Sequence, residues 1–219
     1  MITIKTEQEI SIMKESGRIL ATVIKELEKM VKPGVTTLEL DRAAEALILS
    51  MGGKPAFKNY NGFPYTLCAS VNEVVVHGYP SNYALREGDI IGLDLGVIYN
   101  GYYSDSAVTL AVGEVSFEAK RLIMVTKKAL RYGIKKAKIG NTVGDIGNTI
   151  QRYVEDQGFG VVRDLCGHGI GKNVHEDPQI PNHGQRHKGH DLREGMVICI
   201  EPMVTMGDYN VKKSCQTGC

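Results

Sequence analysis

Two runs of β-forming residues, Asp89 to Tyr99 and Tyr102 to Val112, meet at Asn100-Gly101, and this constrains the fold more than any other feature. Asn-Gly between alternating apolar residues is a strong signal for a two-residue hairpin turn, because both turn positions need positive φ. With that turn, Tyr99 faces Tyr102 and Gly96 faces Asp105. Asp94 then shares a sheet face with Asp105, its diagonal neighbour, with Cα atoms about 7–8 Å apart. Gly92, Gly96, Ala107 and Thr109 fall on the same face and leave room beside the carboxylates. Two carboxylates on an apolar ribbon resist joint ionisation unless a cation compensates them. A hard divalent ion supplies that compensation. The plainer reading puts both acids on an open face in water. A one-residue slip of register would separate them.

The segments around this ribbon follow one plan twice. Thr6-Glu7-Gln8-Glu9 reads as a capping box, and Ile10, Met13, Leu20, Ile24, Leu27 and Val31 form one helical stripe. Lys32-Pro33-Gly34 ends that helix. A second helix is expected from about Thr37 to Ser50, before Gly52-Gly53, with strands from about Pro64 to Val112. After Gly113 the order restarts: a helix from about Phe117 to Lys136, a break at Gly140, a helix to Gln157, then strands. Lys32, Gly34, Thr36 and Gly52 recur 106 positions later as Lys138, Gly140, Thr142 and Gly158. The sequence therefore predicts a duplicated α+β fold, its sheet covered by helices, with a ligand cleft where the halves meet.

The second half carries further candidate ligands. Cys166-Gly167-His168-Gly169-Ile170-Gly171 frames an imidazole with glycine, and Val174-His175-Glu176-Asp177-Pro178 follows it. Met196 to Glu201 reads as a buried strand ending in a carboxylate, since Pro202 fits only where a ladder stops. Asp94, Asp105, His168 and Glu201 together suit Mn, Fe(II), Co or Zn. In the first half, Asn72 to Gly78 places His77 at the end of a β-rich run, within reach of a substrate amide. His183, His187 and His190 lie in a polar stretch and read as an exposed loop. Gly167 to Lys172 lacks the spacing of a phosphate loop, and no Gly-x-Ser-x-Gly supports a serine hydrolase.

Composition narrows the setting. A net charge of +1 with 42% apolar residues does not point to nucleic acid. No apolar run approaches the roughly 20 residues of a membrane span, and the N-terminus has no signal core. Cys68, Cys166, Cys199, Cys215 and Cys219 form no Cys-x-x-Cys pair, which reads as reduced thiols in a cytoplasm, with the first three buried.

The segments Asn72 to Gly78, Asp94 with Asp105, Cys166 to Gly171, His175-Glu-Asp-Pro and Glu201-Pro-Met resemble type I methionine aminopeptidase, in that family's order. The resemblance implies the duplicated "pita-bread" fold, a pseudo-two-fold sheet with the active site in its central cleft. It implies a single metallopeptidase domain over residues 1–219, with halves of about 1–113 and 114–206. It also implies an enzyme that removes the initiator methionine from nascent polypeptides by means of a metal-bound hydroxide; a cytoplasmic monomer is expected beside it. Two divalent ions would be held by Asp94, Asp105, His168 and Glu201, with Glu201 as proton shuttle and His77 and His175 on the substrate. Phe57, Tyr60, Phe63, Cys68 and Val174 would line the methionine pocket. A Na or K ion near the carbonyls of Asn72 and Val74, and a ribosome contact, are further expectations. No nucleic-acid or membrane partner is expected.

From about Lys212 the residues depart from the family's pattern, where a Gly-Trp hairpin and a bridging glutamate are expected. The atypical stretch 207–219 reads as a truncation or frame shift, with weak activity as its consequence. Two rivals stand beside the peptidase: a proline-specific or creatinase-like hydrolase of the same fold, and a binding module depleted of metal.

Overall fold

The computed structural model describes residues 1–212, so the expectations for Cys215 and Cys219 lie outside the described residues. Two compact units make up the chain: Gln8–Ala119, and Met1–Glu7 together with Lys120–Lys212. In the first, α1 (Glu7–Met30) and α2 (Thr37–Ser50) precede β1 (Lys54–Pro55), β2 (Leu67–Val71), β3 (Ile90–Tyr99) and β4 (Tyr102–Ala111). Strands β2 and β1 follow each other along one edge of β3, and β4 takes the other. Every second residue of β3 (Ile91, Leu93, Leu95 and Val97) is fully buried against the stripes of α1 and α2. That alternation turns Gly92, Asp94 and Gly96 to the opposite face.

The hairpin has the register its turn predicts: Tyr99 pairs with Tyr102, Gly96 with Asp105 and Asp94 with Ala107. Asn100 and Gly101 adopt φ of 46° and 81°, the positive values this turn requires.

The second unit holds α3 (Phe117–Ile134), α4 (Val143–Asp156), β5 (Gly160–Val161), β6 (Cys166–Gly169), β7 (Glu176–Pro181) and β8 (Val204–Thr205). Its core joins Val125 and Ala129 of α3 to Ile146, Ile150 and Val154 of α4, with Val161 and Ile180. Helix α3 stops at Ile134, short of the expected Lys136. At Lys136 and Ala137 the amides turn to acceptors three residues back, at Gly133 and Ile134, which tightens the chain out of the α pattern.

The duplication is written in hydrogen bonds. Thr36 with Glu39 and Thr142 with Asp145 make the same capping box at the starts of α2 and α4. The Leu85 amide donates to the Val35 carbonyl at 2.9 Å, and Leu192 to Asn141 at 2.9 Å. Likewise Thr37 donates to Tyr83 and Val143 to His190. These bonds lead into two related stretches that the sequence reading passed over. Leu85-Arg-Glu-Gly-Asp-Ile-Ile-Gly-Leu-Asp94 is repeated as Leu192-Arg-Glu-Gly-Met-Val-Ile-Cys-Ile-Glu201. Asp94 and Glu201 thus occupy equivalent places in the two halves.

Two expected strands need correction. Strand β2 ends at Val71, and Asn72 to His77 form a loop. Asn72 and His77 sit at φ of 52° and 56°, which breaks the extended run. Met196 to Glu201 is likewise no regular strand, and it is half-buried where burial was expected. It pairs antiparallel with residues 168–170 over Val197 to Cys199 only, and then leaves them. Val197 and Cys199 bond to the two sides of Gly169, at Ile170 and His168, while Met203 bonds to Val162. The Glu201 carbonyl takes the Asn182 side-chain amide at 2.7 Å. The ladder on residues 168–170 therefore stops at Cys199, and Pro202 has no N–H to extend it.

Candidate metal and catalytic site

On the first unit, Asp94 and Asp105 lie half-buried on the open face of the hairpin. Cys68 pairs with Asp94 from β2, which brings a buried thiol onto the same face. Gly96, across from Asp105, is bare for a reason: a Cβ there would come within 2.9 Å of the Phe57 ring and 2.8 Å of Ala56. The missing side chain lets Phe57 lie beside the acids. Phe63 is buried, in edge-on contact with Tyr65 and Tyr79 at centroid distances of 6.0 and 5.3 Å. Tyr60 stands on a short 3-10 turn at 37% exposure, so of the expected pocket aromatics it is the one most open to water.

His77 belongs to the same group. Gly78 draws the loop back onto β2, where its carbonyl accepts the Ala69 amide at 2.8 Å, and a Cβ on it would fall 2.3 Å from the Ala69 oxygen. Burial holds the His77 pKa below the ordinary imidazole value, and the charge of Asp105 works the other way. A ring kept neutral offers one N–H donor and one nitrogen acceptor. The Asn72 side chain anchors the loop, accepting from the Ile90 amide at 3.0 Å and donating to Asp89 at 2.9 Å.

On the second unit, His168 is 7% exposed, and each glycine of its motif answers a specific approach. A Cβ at Gly167 would fall 2.2 Å from the Cys199 carbonyl, and one at Gly169 2.2 Å from that of Asp177. The His168 Nδ1 lies 2.8 Å from the Gly169 carbonyl. A carbonyl only accepts, so Nδ1 carries the proton and Nε2 presents its lone pair. That nitrogen faces Glu201 Oε1 at 3.2 Å. Two electron-rich atoms so placed repel unless a proton or a metal cation is shared between them. An imidazole nitrogen and a carboxylate oxygen are the donors a divalent transition metal takes. His175 lies exposed beside them, its ring edge-on to His168 at 4.4 Å between centroids. A cavity of about 570 Å³ is lined by His168, His175, Cys166, Glu176 and Asp177, and by Met1 and Thr3 from the start of the chain. Burial raises the Cys166 thiol pKa, and the charge of Glu201 adds to it.

Each unit therefore gathers its own share of the expected residues: Asp94, Asp105, His77, Phe57 and Cys68 in one, His168, His175 and Glu201 in the other. Val174 is buried at 1% exposure. His187 and His190 are exposed, as the polar stretch predicts, but His183 is half-buried. Cys68 is buried, but Cys166, which lines the cavity, and Cys199 are only half-buried; none of the three is in a disulfide. The sequence reading missed Thr3 and Lys5, which contact Glu176, because their partners lie more than 170 positions away. It also missed a second spacing signal. Cys68 to Val76-His77 and Cys166 to Val174-His175 have the same length, which marks the two histidines as counterparts.

The sequence profile described as "Metallopeptidase family M24" matches residues 11–217. A methionine aminopeptidase of Clostridium acetobutylicum is 53% identical over 213 residues, which is 97% of this chain and 85% of that protein. The crystal structure of a methionine aminopeptidase from Thermotoga maritima is similar with a TM-score of 0.97 at 44% identity, over 99% of this chain and 88% of its own. A prolidase from Pyrococcus furiosus is similar at a TM-score of 0.79 and 28% identity, over 91% of this chain and 57% of its own.

Proposed function

The chain belongs to metallopeptidase family M24 and has its pita-bread fold, and from that premise we propose that it acts as a methionine aminopeptidase, hydrolysing the first peptide bond of polypeptides that begin with methionine. The observation that carries the reading is the His168–Glu201 pair, whose facing nitrogen and oxygen at 3.2 Å are a donor set that a divalent metal would take in place of a shared proton. Identity of 53% to a methionine aminopeptidase against 28% to a prolidase favours this reading over a proline-specific one.

We assign Asp94, Asp105, His168 and Glu201 as the residues that hold divalent metal, within one catalytic domain built from the two units. Co, Mn, Fe(II) and Zn all suit these donors. Bound there, the metal would polarise the substrate carbonyl and lower the pKa of water towards neutrality. The chain's own groups do the rest. Glu201 accepts the proton released by the attacking water and returns it to the departing amine. His175, exposed on the rim of the cavity, donates to the scissile carbonyl oxygen as negative charge develops there. His77, kept neutral by burial, bonds the next amide and holds the peptide in register. Phe57, Tyr60, Phe63, Cys68 and Val174 take the methionine side chain. The carbonyls of Asn72 and Val74 are the expected Na or K site. Among the described residues no helix is long and apolar enough to cross a membrane. A cytoplasmic monomer working on nascent chains, with or without a ribosome contact, completes the proposal.

A substrate panel decides it. With Mn or Co added, Met-Ala-Ser should be cleaved, and Xaa-Pro peptides and creatine left intact. Dialysis against a chelator should abolish cleavage, and His175→Ala should lower kcat about 100-fold with little change in KM. Cleavage of Xaa-Pro alone, or full kcat in the His175 variant, would overturn the assignment.

A further inference from the structure

We propose that Asn182 is a positioning residue for the Glu201 carboxylate, setting it against His168 through a bond to the Glu201 backbone. The metal to be held there rests on the function proposed above; the bond and its structural consequence do not. Asn182 Nδ2 donates to the Glu201 carbonyl at 2.7 Å, and Asn182 is fully buried. Its neighbours in the chain anchor it. Pro181 pairs with Cys166 at the end of the β6–β7 ladder. On the other side, Gly184 accepts from the Asn148 side chain at 2.8 Å and donates to that of Gln151 at 3.0 Å. A Cβ on Gly147 of α4 would fall 2.5 Å from the carbonyls of both Pro181 and His183, so α4 lies directly against the backbone flanking Asn182. The amide that reaches Glu201 therefore projects from a fixed base.

The two halves of the fold show what this bond replaces. Asp94, the counterpart of Glu201, lies inside a regular ladder, paired with Cys68 of β2 on one side and Ala107 of β4 on the other. The ladders of the two halves start alike. The Asn72 amide donates to the Ile90 carbonyl, and the Ile170 amide to that of Val197. Val71 pairs with Ile91, and Gly169 with Ile198. They then diverge. Between β2 and β3 the pairing runs on through Asp94 to Leu95, whereas beside β6 it stops at Cys199, two residues before Glu201. The stretch that supplies Asn182 is also longer in the second half: Leu85 follows His77 by 8 positions, but Leu192 follows His175 by 17. Asn182 lies within this longer connection, and its side-chain amide stands where the first half has a strand.

Other bonds hold this segment too, one on each side of Glu201. The Cys199 amide donates to the His168 carbonyl at 2.7 Å, and the Val162 amide to the Met203 carbonyl at 3.0 Å. They fix where the chain enters and leaves. The Asn182 bond fixes the direction of the carbonyl between them, and with it the tilt of the Glu201–Pro202 peptide. A planar peptide turns as a unit. With both ends held, a change of tilt passes to the Glu201 Cα and swings its carboxylate off the His168 Nε2, from which Oε1 lies 3.2 Å. The other end of the amide does no such work: Asn182 Oδ1 is buried and meets no hydrogen-bond donor among the described residues. A half-satisfied buried amide lowers stability, so packing alone would favour an apolar side chain there.

The test uses the full chain, with Co(II) as the metal probe. Asn182→Leu keeps the volume and removes the donor. It should bind Co(II) about 10- to 100-fold more weakly by calorimetry, with a changed visible absorption spectrum. Asn148→Ala is the control, removing the same kind of bond from the same loop. Its Co(II) affinity should stay within about 3-fold of wild type, because that bond meets neither His168 nor Glu201. Without metal, the NMR signal of the His168 Cε1–H, assigned with His168→Gln, should move in Asn182→Leu and stay in Asn148→Ala. If Asn182→Leu does not fold, Asn182→Ala takes its place with the same expectations. An unmoved His168 signal or an unchanged Co(II) affinity in the Asn182 variant, or equal effects in the two variants, would overturn the proposal. A wild-type chain that binds no Co(II), or binds it and leaves Met-Ala-Ser uncut, would instead sink the functional reading. The metal-free NMR comparison would still decide the role of Asn182.

Discussion

A hydrogen in place of a methyl group decides much of this site. At Gly167 the Cys199 carbonyl would stand 2.2 Å from a Cβ, inside any tolerable contact, and the atom in the way is backbone that cannot swing aside. Gly167→Ala should therefore push the segment carrying Glu201 away from His168, at a cost of about 2–3 kcal/mol in a urea titration. Gly17 in α1 is the contrast, with nothing within 4 Å of its would-be Cβ. Gly17→Ala should stabilise the protein by about 0.5–1 kcal/mol through helix propensity and a less free unfolded chain. The glycines around His168 could be read in the sequence as places of close approach. What approaches them could not, since Cys199, Asp177 and Lys5 reach the motif only through the folded chain.

Among elements, the capping boxes and the loop before β3 set where the ligand strands begin. The Thr36 side chain accepts from the Glu39 amide at 3.2 Å, and Thr142 occupies the matching place before α4. Replacing either by alanine should cost about 1 kcal/mol, measured by thermal unfolding. Asp89 does similar work at the head of β3. Burial alone would raise its pKa, but bonds from Asn72, the Arg86 amide and Tyr83 outweigh it and hold the carboxyl below its ordinary 3.8. A depressed folded pKa means that the unfolded chain binds the proton more readily. The stabilisation is therefore complete above the unfolded value and fades as pH falls through the folded one. Asp89→Asn should be about 1–3 kcal/mol less stable than wild type at neutral pH. The gap should narrow progressively in urea titrations as pH falls below 3.8, and a gap of the same size at every acid pH would show that the charge is not its source. The Asn100-Gly101 turn made the register of β3 and β4 readable from sequence alone. The segment around Glu201 was not readable in this way, because an apolar run ending in proline does not reveal that its ladder stops at Cys199 and that Asn182 and Val162 take over beyond it.

For the whole molecule, the repeated bonding of the two units is the main structural result, and metal should register on it as stability. A ligand that binds only the folded state stabilises by about 2.7 kcal/mol at 100 times its Kd. Mn should raise the Tm of the wild-type chain, and Asp94→Asn or His168→Ala should abolish or sharply reduce that rise. An equal rise in both variants would place the ion elsewhere. The sequence by itself determined the two-half plan, the hairpin that sets Asp94 and Asp105 on one face, and the order of chemically capable residues that resembled a family. These are local or periodic properties, fixed by turn chemistry, capping and the alternation of strands. Only the tertiary structure decided that the His168 Nε2 faces Glu201, that His175 stands exposed beside it, and that Lys5 reaches across the chain to the carboxylate next to His175. Such contacts join residues far apart in sequence, and their geometry exists only once the intervening chain has folded.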